Sequence, residues 1–128
     1  MGVLGIGGLF FRARDPDSLA TWYREHLNVG AGCSAENAGE PDEMCWMAGG
    51  GPVVFAPFAA DTDYFSRDKA FMLNLRVSDL SGLIDRLSGA GIPVETRDEW
   101  NDPNVGRFAR INDPEGNPIE LWEPPAEP

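Results

Sequence analysis

The chain has 128 residues, the length of one domain, and is long enough to bury a hydrophobic core without disulfide support. Its 21 acidic and 10 basic residues give a formal net charge of −11, which excludes nucleic acid as an expected partner and favours a cationic ligand. The apolar N-terminal stretch is too short to span a membrane and lacks the basic region of an export signal, so we predict a cytoplasmic protein without a membrane partner. Cys33 and Cys45 lie outside any C-x-x-C motif, and in a reducing compartment we expect both thiols to be free.

The first half of the chain predicts one helix among short strands. The segment DPDSLATWYREHLNV predicts a helix over residues 16–28, because Leu19 and Leu27 belong to an apolar stripe at helical spacing. Asp15 is placed to cap the N-terminus of this helix. The apolar runs GLFFRA, WMAGG and PVVFAPF predict strands at residues 8–13, 46–50 and 52–58.

The second half follows the same order. FMLNLRV, residues 71–77, alternates as a half-buried strand does. SDLSGLIDRLSGAGI predicts a helix over residues 79–90, with Leu83 and Leu87 on one stripe. The Asp-Pro-Glu-Gly-Asn segment at 113–117 is typical of a turn, and we assign it no catalytic role. The runs RFARIN and PIELWEP predict strands at residues 107–112 and 118–124.

These two halves repeat each other at a shift of 64 residues. Arg12 then aligns with Arg76, and Asp15 aligns with Asp79. Each half reads strand–helix–strand–strand–strand, which indicates a tandem duplication.

Three motifs carry a resemblance to a known family: RARDPDSLATWYREHLNV, LNLRVSDLSGLIDRLSGAGI and FARINDPEGNPIELWEP. With these motifs the chain resembles the vicinal oxygen chelate superfamily, which includes glyoxalase I, bleomycin-resistance proteins and extradiol dioxygenases. The resemblance implies an α+β fold in which two tandem βαβββ modules form a curved, half-open sheet cavity with the helices outside. We expect a single domain over 1–128, with one module at about 3–58, a connector at 59–70 and a second module at about 71–124. The polar, Gly-rich loop at 30–43 is the segment expected to move.

Strand alternation predicts which side chains line the cavity, because successive residues of a strand point to opposite faces. Leu73 and Leu75 are expected to pack on the helices, which places Asn74 and Arg76 in the cavity. The 64-residue repeat applies the same alternation to residues 8–13, and the alternation of PIELW applies it to the final strand. The predicted ligand-binding residues are Phe10, Arg12, Met72, Asn74, Arg76, Glu120 and Trp122.

Glu120 is a single carboxylate between Ile119 and Leu121 in an otherwise apolar run. We expect it to pair with Arg12 or Arg76, or to stay hydrated in an open cavity until a polar or cationic ligand group arrives. It is also the candidate catalytic residue, as a general acid or base.

The resemblance implies a divalent metal held by His or Glu at four related positions. Here those positions are Gly8, Met72, one residue within Val54–Ala56, and Glu120. Glycine has no ligating side chain, a thioether is a poor ligand for hard divalent ions, and the Val54–Ala56 stretch is apolar. His26 is the one histidine of the chain, so a two-histidine iron site is excluded. We therefore predict no metal and no other cofactor, and leave open a weak divalent ion at Glu120.

Three functions remain open at this point. The first is a metal-free binding protein of the bleomycin-resistance type, which holds a small cationic or aromatic molecule in the cavity. The second is a glyoxalase-related lyase or isomerase, rather than a dioxygenase, that uses Glu120 as acid, base or remaining metal ligand. The third is a non-catalytic assembly protein, and the fold alone does not decide among them. We expect a homodimer in each case, because open sheet edges can be covered by another module.

Overall fold

Two helices and one small sheet make up the regular structure of the part of the chain that the structure describes. The structure is a computed structural model, and it describes residues 2–30 and 45–126. Its elements in chain order are α1 (Pro16–Leu27), β1 (Leu73–Arg76), α2 (Leu80–Gly89), a one-turn 3-10 helix (Asp98–Trp100), β2 (Arg107–Asn112) and β3 (Pro118–Glu123).

The sheet has three strands in the order β1-β3-β2, so the last strand of the chain is central. β3 runs parallel to β1 and antiparallel to β2. In this register Glu120 lies opposite Asn74 on one side and opposite Arg110 on the other. The register therefore brings Asn74, which is 46 positions away in the sequence, next to Glu120 and the adjacent Arg110.

Both helices form close to where the sequence predicts them, because their caps are encoded locally. The Asp15 carboxylate accepts hydrogen bonds from the backbone N–H and the hydroxyl of Ser18, at 3.2 and 2.9 Å, and Asn28 ends α1 in a left-handed conformation. Asp79 accepts from the Gly82 N–H at 3.1 Å in the same way at the start of α2. The predicted helices are confirmed.

The hydrophobic core lies between the helices and one face of the sheet. Ile119 and Leu121 of the central strand are fully buried, and Leu75 of β1 is 8% exposed. Leu73 and Val77 pack against this core, which confirms the predicted alternation of residues 71–77. The buried apolar residues are Leu19, Tyr23, Leu75, Leu80, Leu87, Ala109, Ile111, Ile119 and Leu121.

Helix α1 is tied to the turn at residues 113–117 by a buried carboxylate. Asp113 is 4% exposed and accepts hydrogen bonds from the Tyr23 hydroxyl at 2.7 Å and from the Asn117 side chain at 2.8 Å. It also accepts from the backbone N–H groups of Glu115 and Asn117, at 2.9 and 3.0 Å. All these donors depend on one side chain, so this turn has a structural role that the sequence did not reveal.

The first-half strands are the main correction to the predicted fold. Three described segments of the first half were predicted as strands, and apart from a bridge at Trp46 none of them forms a strand. Phe10 is 88% exposed and Phe55 is 83% exposed. An alternating apolar pattern supplies a side-chain face, but a strand also needs a partner strand for its backbone groups. The segments concerned are residues 8–13, 46–50 and 52–58. The α+β class is confirmed, whereas the tandem-module arrangement is not.

The cysteine prediction is also corrected. Cys45 is disulfide-bonded, so it is not the free thiol expected from the sequence. Cys33 and nearly all of the predicted mobile loop at 30–43 lie outside the described residues.

Within the described ranges, neither helix has the length and apolar character needed to traverse a bilayer.

Candidate functional site

The sheet face opposite the helices carries two rows of side chains. One row, which we call the polar row, consists of Asn74, Glu120 and Arg110, which are register partners across β1, β3 and β2. The second row, one pleat further along, contains Arg76, Trp122 and Phe108. The alternation of each strand places all six on the face away from the core.

Glu120 is the centre of the polar row and is only 8% exposed. One carboxylate oxygen accepts a hydrogen bond from the Tyr64 hydroxyl at 2.5 Å, and the other accepts from the Asn74 side-chain amide at 2.8 Å. A buried carboxylate needs such partners, because burial without them is costly. Glu120 is therefore neither hydrated in an open cavity nor paired with an arginine, which corrects both expectations for it.

Tyr64 belongs to the connector at 59–70 and covers the polar row. Its ring lies 5.7 Å from the ring of Phe58, and its backbone carbonyl accepts a hydrogen bond from Arg110 Nη1 at 3.1 Å. Burial and the hydrogen bond to Glu120 raise the pKa of the Tyr64 hydroxyl, and Arg110 partly offsets that rise. The Tyr64 hydroxyl therefore stays protonated and donates a hydrogen bond to the carboxylate.

Arg110 completes the polar row on the β2 side. The carbon at the centre of its guanidinium lies 4.9 Å from the centre of the Tyr64 ring and 5.5 Å from that of Trp100. Both distances are within the range of cation–π attraction. The Nε and Nη2 atoms of Arg110 are buried and make no hydrogen bond to any residue that the structure describes.

The second row has less free hydrogen-bonding capacity. Arg76 donates to the backbone carbonyls of Gly49, Gly50 and Pro52 at 3.0, 3.0 and 3.2 Å, so it anchors that segment. The indole N–H of Trp122 donates to the Val105 carbonyl at 2.8 Å. The rings of Trp122 and Phe108 are nearly parallel, with centroids 6.2 Å apart. This row supplies flat apolar surface beside the polar row.

The structure brings together only part of the predicted ligand-binding set. Asn74, Arg76, Glu120 and Trp122 share the two rows, and Met72 directly precedes β1. Phe10 extends into solvent, and Arg12 lines a separate groove with Lys69 and Glu115, among other residues. The expected ion pairs of Glu120 with Arg12 or Arg76 do not form.

Three residues of the face were missed from the sequence: Tyr64, Phe108 and Arg110. The alternation of RFARIN would have found Phe108 and Arg110, since Ala109 and Ile111 are buried and these two must point the other way. Tyr64 had no such signal, because it lies in a connector without a strand or helix period.

The residues present do not fit the metal site that the superfamily resemblance implies. Gly8 and Val54–Ala56 lie in exposed segments outside the sheet, and both oxygens of Glu120 already accept hydrogen bonds. Over residues 2–30 and 45–126, no cluster of three or more His, Cys, Asp or Glu side chains could hold an ion.

Two surface grooves lie away from this face. One, of about 480 Å³, runs beside α1 and includes Trp22 and Glu25, and the other, of about 500 Å³, includes Arg12 and Lys69. Neither includes Glu120. A ligand could bind in either groove instead of at the polar row, and an experiment on binding has to distinguish these locations.

Comparison with known proteins decides the family. The sequence profile described as "Glyoxalase-like domain" matches residues 8–122, nearly the whole chain. The chain belongs to the glyoxalase-like domain family. The resemblance to the vicinal oxygen chelate superfamily is thereby confirmed. No curated protein matches the sequence significantly.

Two solved structures resemble this glyoxalase-like domain, one over less than half of the chain and the other over most of it. A glyoxalase/bleomycin resistance protein from Streptomyces sp. CB03234 is 31% identical over 41% of this chain and 45% of its own, with a TM-score of 0.35. The match thus spans less than half the length of that relative. TnmS3, an antibiotic binding protein from the same organism, is 18% identical over 88% of each chain, with a TM-score of 0.46.

Proposed function

We propose that this glyoxalase-like domain binds a small organic molecule on the sheet face around Glu120, without the metal of its metal-dependent relatives. The observation that supports this most is the fixed Tyr64–Glu120–Asn74 network, with aromatic Trp122 alongside. Ligand sites typically combine a few oriented polar groups with apolar, aromatic walls. A carboxylate held by two donors is already oriented, so a ligand that exchanges places with Tyr64 finds an ordered acceptor.

A thermal-shift screen of small cationic, aromatic and carboxylic compounds tests this function. A ligand that binds the folded chain alone raises the melting temperature, by an amount that grows with its concentration above Kd. We expect at least one class to raise it in a saturable manner. The absence of any saturable shift across all three classes would contradict the proposal.

The location of binding can be read from the tryptophan indole N–H signals in a proton–nitrogen correlation spectrum. Trp122 lies on the proposed face, whereas Trp22 lines the groove beside α1. We expect a binding compound to shift the Trp122 signal and to leave the Trp22 signal in place. The reverse result would move the ligand site to the α1 groove.

The metal-free character gives a separate prediction. Purified protein is expected to carry no stoichiometric zinc, nickel or iron and to show no lactoylglutathione lyase activity, because Gly8 and Val54–Ala56 supply no ligating side chain. Elemental analysis of protein purified without chelator measures this. About one ion per chain, lost in Glu120→Gln, would show that the carboxylate does hold a metal.

A second function, acid–base catalysis, is favoured by the direct contact of Tyr64 with Glu120. The Tyr64 hydroxyl lies 2.5 Å from the Glu120 carboxylate, so Tyr64 can give its proton to Glu120 while its oxygen takes a proton from a bound ligand. In that case Tyr64→Phe would still bind the ligand but would not convert it. Product analysis of a bound compound distinguishes this enzyme from a binding protein.

We also propose that the chain forms a homodimer. β1 lies at a sheet edge, and large apolar side chains of the first half are exposed, among them Val3 at 96%, Phe10 at 88% and Phe55 at 83%. Exposed apolar surface of this kind marks an interaction site. Sedimentation velocity at micromolar concentration is expected to show a dimer, and Phe55→Asp to weaken it. A monomeric wild type would contradict the proposal, and Ser81→Asp on exposed α2 surface is the matched control.

A further inference from the structure

The unpartnered atoms of Arg110 form one complete edge of its guanidinium. Nε and Nη2 are buried without a hydrogen-bond partner among the described residues, whereas Nη1 donates to the Tyr64 carbonyl. The N–H bonds of Nε and Nη2 run parallel in any arginine. This edge is the fork that takes the two oxygens of a carboxylate in a bidentate pair.

The neighbouring carboxylates do not occupy this fork. Glu120, the register partner of Arg110, accepts from Tyr64 and Asn74 instead. Glu95 forms a backbone bridge with Arg110, but its side chain pairs with Arg97 at 2.7 Å. Each carboxylate next to Arg110 is therefore engaged elsewhere, and no ion pair reaches Arg110 from within residues 2–30 and 45–126.

The surroundings make an external acceptor favourable. Buried N–H groups without partners are destabilising, so two oxygens that pair with them recover that free energy on binding. Tyr64 and Trp100 lie against the guanidinium, and Phe108 and Trp122 lie on the same face of the sheet. The free hydrogen-bonding capacity of the site thus consists of donors beside aromatic rings.

We propose that the Nε–Nη2 edge of Arg110 binds the carboxylate of an aromatic carboxylic acid. This inference rests on the proposed function and specifies its ligand class, because the acceptor Glu120 is already filled while the donor Arg110 is not. Since both nitrogens are covered, the carboxylate enters when one of the contacting rings, Tyr64 or Trp100, turns aside.

Benzoate and benzamide are the matched probes, because they share ring and shape but only benzoate carries the anionic pair of oxygens. Each is titrated into the full chain labelled with nitrogen-15, and the Nε–H signal of Arg110 is followed; its absence in Arg110→Lys assigns it. We expect benzoate to shift this signal saturably in the millimolar range and benzamide to leave it unmoved. An unmoved signal with benzoate, or equal shifts with both probes, overturns the proposal.

Two variants test the fork itself. Arg110→Lys keeps the positive charge but loses the bidentate edge, and is expected to weaken benzoate binding about tenfold, or about 1.4 kcal/mol. Arg107→Lys, at the exposed first position of the same strand and off the face that carries Arg110, is expected to bind benzoate as the wild type does. Equal affinity of Arg110→Lys and wild type would overturn the proposal. If Arg110→Lys does not fold, through-bond correlation of the Nε–H signal with the backbone amide of Arg110 assigns it, and the comparison of the two probes on the wild type then decides.

The failure of this inference is distinguishable from that of the proposed function. If benzoate leaves Arg110 unmoved while a cationic or neutral compound shifts the Trp122 indole signal, the carboxylate ligand is wrong and the binding face stands. If no compound shifts either signal, both are wrong.

Discussion

Asp113→Ala is expected to lower the free energy of unfolding by about 3 kcal/mol or more, the largest stability effect outside the apolar core. The buried Asp113 side chain accepts from the Tyr23 hydroxyl, the Asn117 amide and two backbone N–H groups. A buried donor that loses its acceptor costs about 1–3 kcal/mol. The Tyr23 hydroxyl is such a donor, and three partly buried donors lose the same acceptor with it. Such a loss is a large share of a typical domain's stability of about 5–15 kcal/mol.

Urea denaturation followed by circular dichroism measures this effect, with an unchanged m value as the sign that the unfolding reaction is the same. Asp85→Ala, at an exposed position of α2, is the matched control and is expected to change the free energy by less than about 0.5 kcal/mol. A decrease for Asp113→Ala as small as that of the control would show that water replaces the carboxylate at little cost.

The Tyr23–Asp113 contact also gives a pH dependence. Burial, followed by the hydrogen bond to Asp113, raises the pKa of the Tyr23 hydroxyl above its ordinary value of 10.0. A folded-state pKa above the unfolded value means that this stabilisation is fully present below about pH 10 and is lost as the pH rises beyond it. In the wild type, the free energy of unfolding is expected to fall as the pH rises above about 10. Tyr23→Phe is expected to reduce this fall, and a wild type without it would contradict the account.

Glu120→Gln is expected both to destabilise the chain and to abolish ligand-induced stabilisation. Tyr64 and Asn74 each donate to one oxygen of Glu120, whereas glutamine offers one acceptor oxygen and one NH₂ group. One of the two donors then faces another donor. Hydrogen bonds to charged groups contribute about 1.5–3 kcal/mol, and we expect a loss in that range. The loss of ligand-induced stabilisation is expected for a compound that takes the place of Tyr64 on Glu120, because the oriented acceptor is then gone.

The destabilisation and the loss of binding can be measured separately. Melting temperatures without ligand report the first, and the shift produced by a compound that stabilises the wild type reports the second. Glu99→Gln, whose side chain is 74% exposed, is the control for the chemical change. A double-mutant cycle with Tyr64→Phe isolates the Tyr64–Glu120 bond, for which we expect a coupling of about 1 kcal/mol or more. Zero coupling, with unaltered binding, would mean that Glu120 is only a remnant of the family's metal site.

The helices were predictable because their signals are local. Asp15 and Asp79 each cap a helix whose apolar stripe follows within a few residues, and both helices end near the predicted positions. The faces of β1 and β3 were predictable for the same reason. Leu75, Ile119 and Leu121 are buried as alternation requires.

The first half shows where such local signals fail. Phe10 and Phe55 lie in apolar runs with the composition of strands, yet both are exposed and unpaired with the sheet. A strand depends on a partner for its backbone hydrogen bonds, and no property of residues 52–58 alone specifies that partner. The 64-residue repeat predicted the same elements in both halves. In the described residues, the two helices match in this way, whereas the strands of the second half have no counterparts in the first.

The sequence by itself determined the family, the two helices, the direction in which Glu120 points and the poor metal-ligand set at Gly8 and Val54–Ala56. Only the tertiary structure decided the partners of Glu120. Its hydrogen bond to Tyr64 joins residues 56 positions apart, and the register of β2 on β3 sets Arg110 beside it. Periodicity relates residues within one element, whereas these contacts depend on how the connector and three strands meet in space, which no single segment encodes.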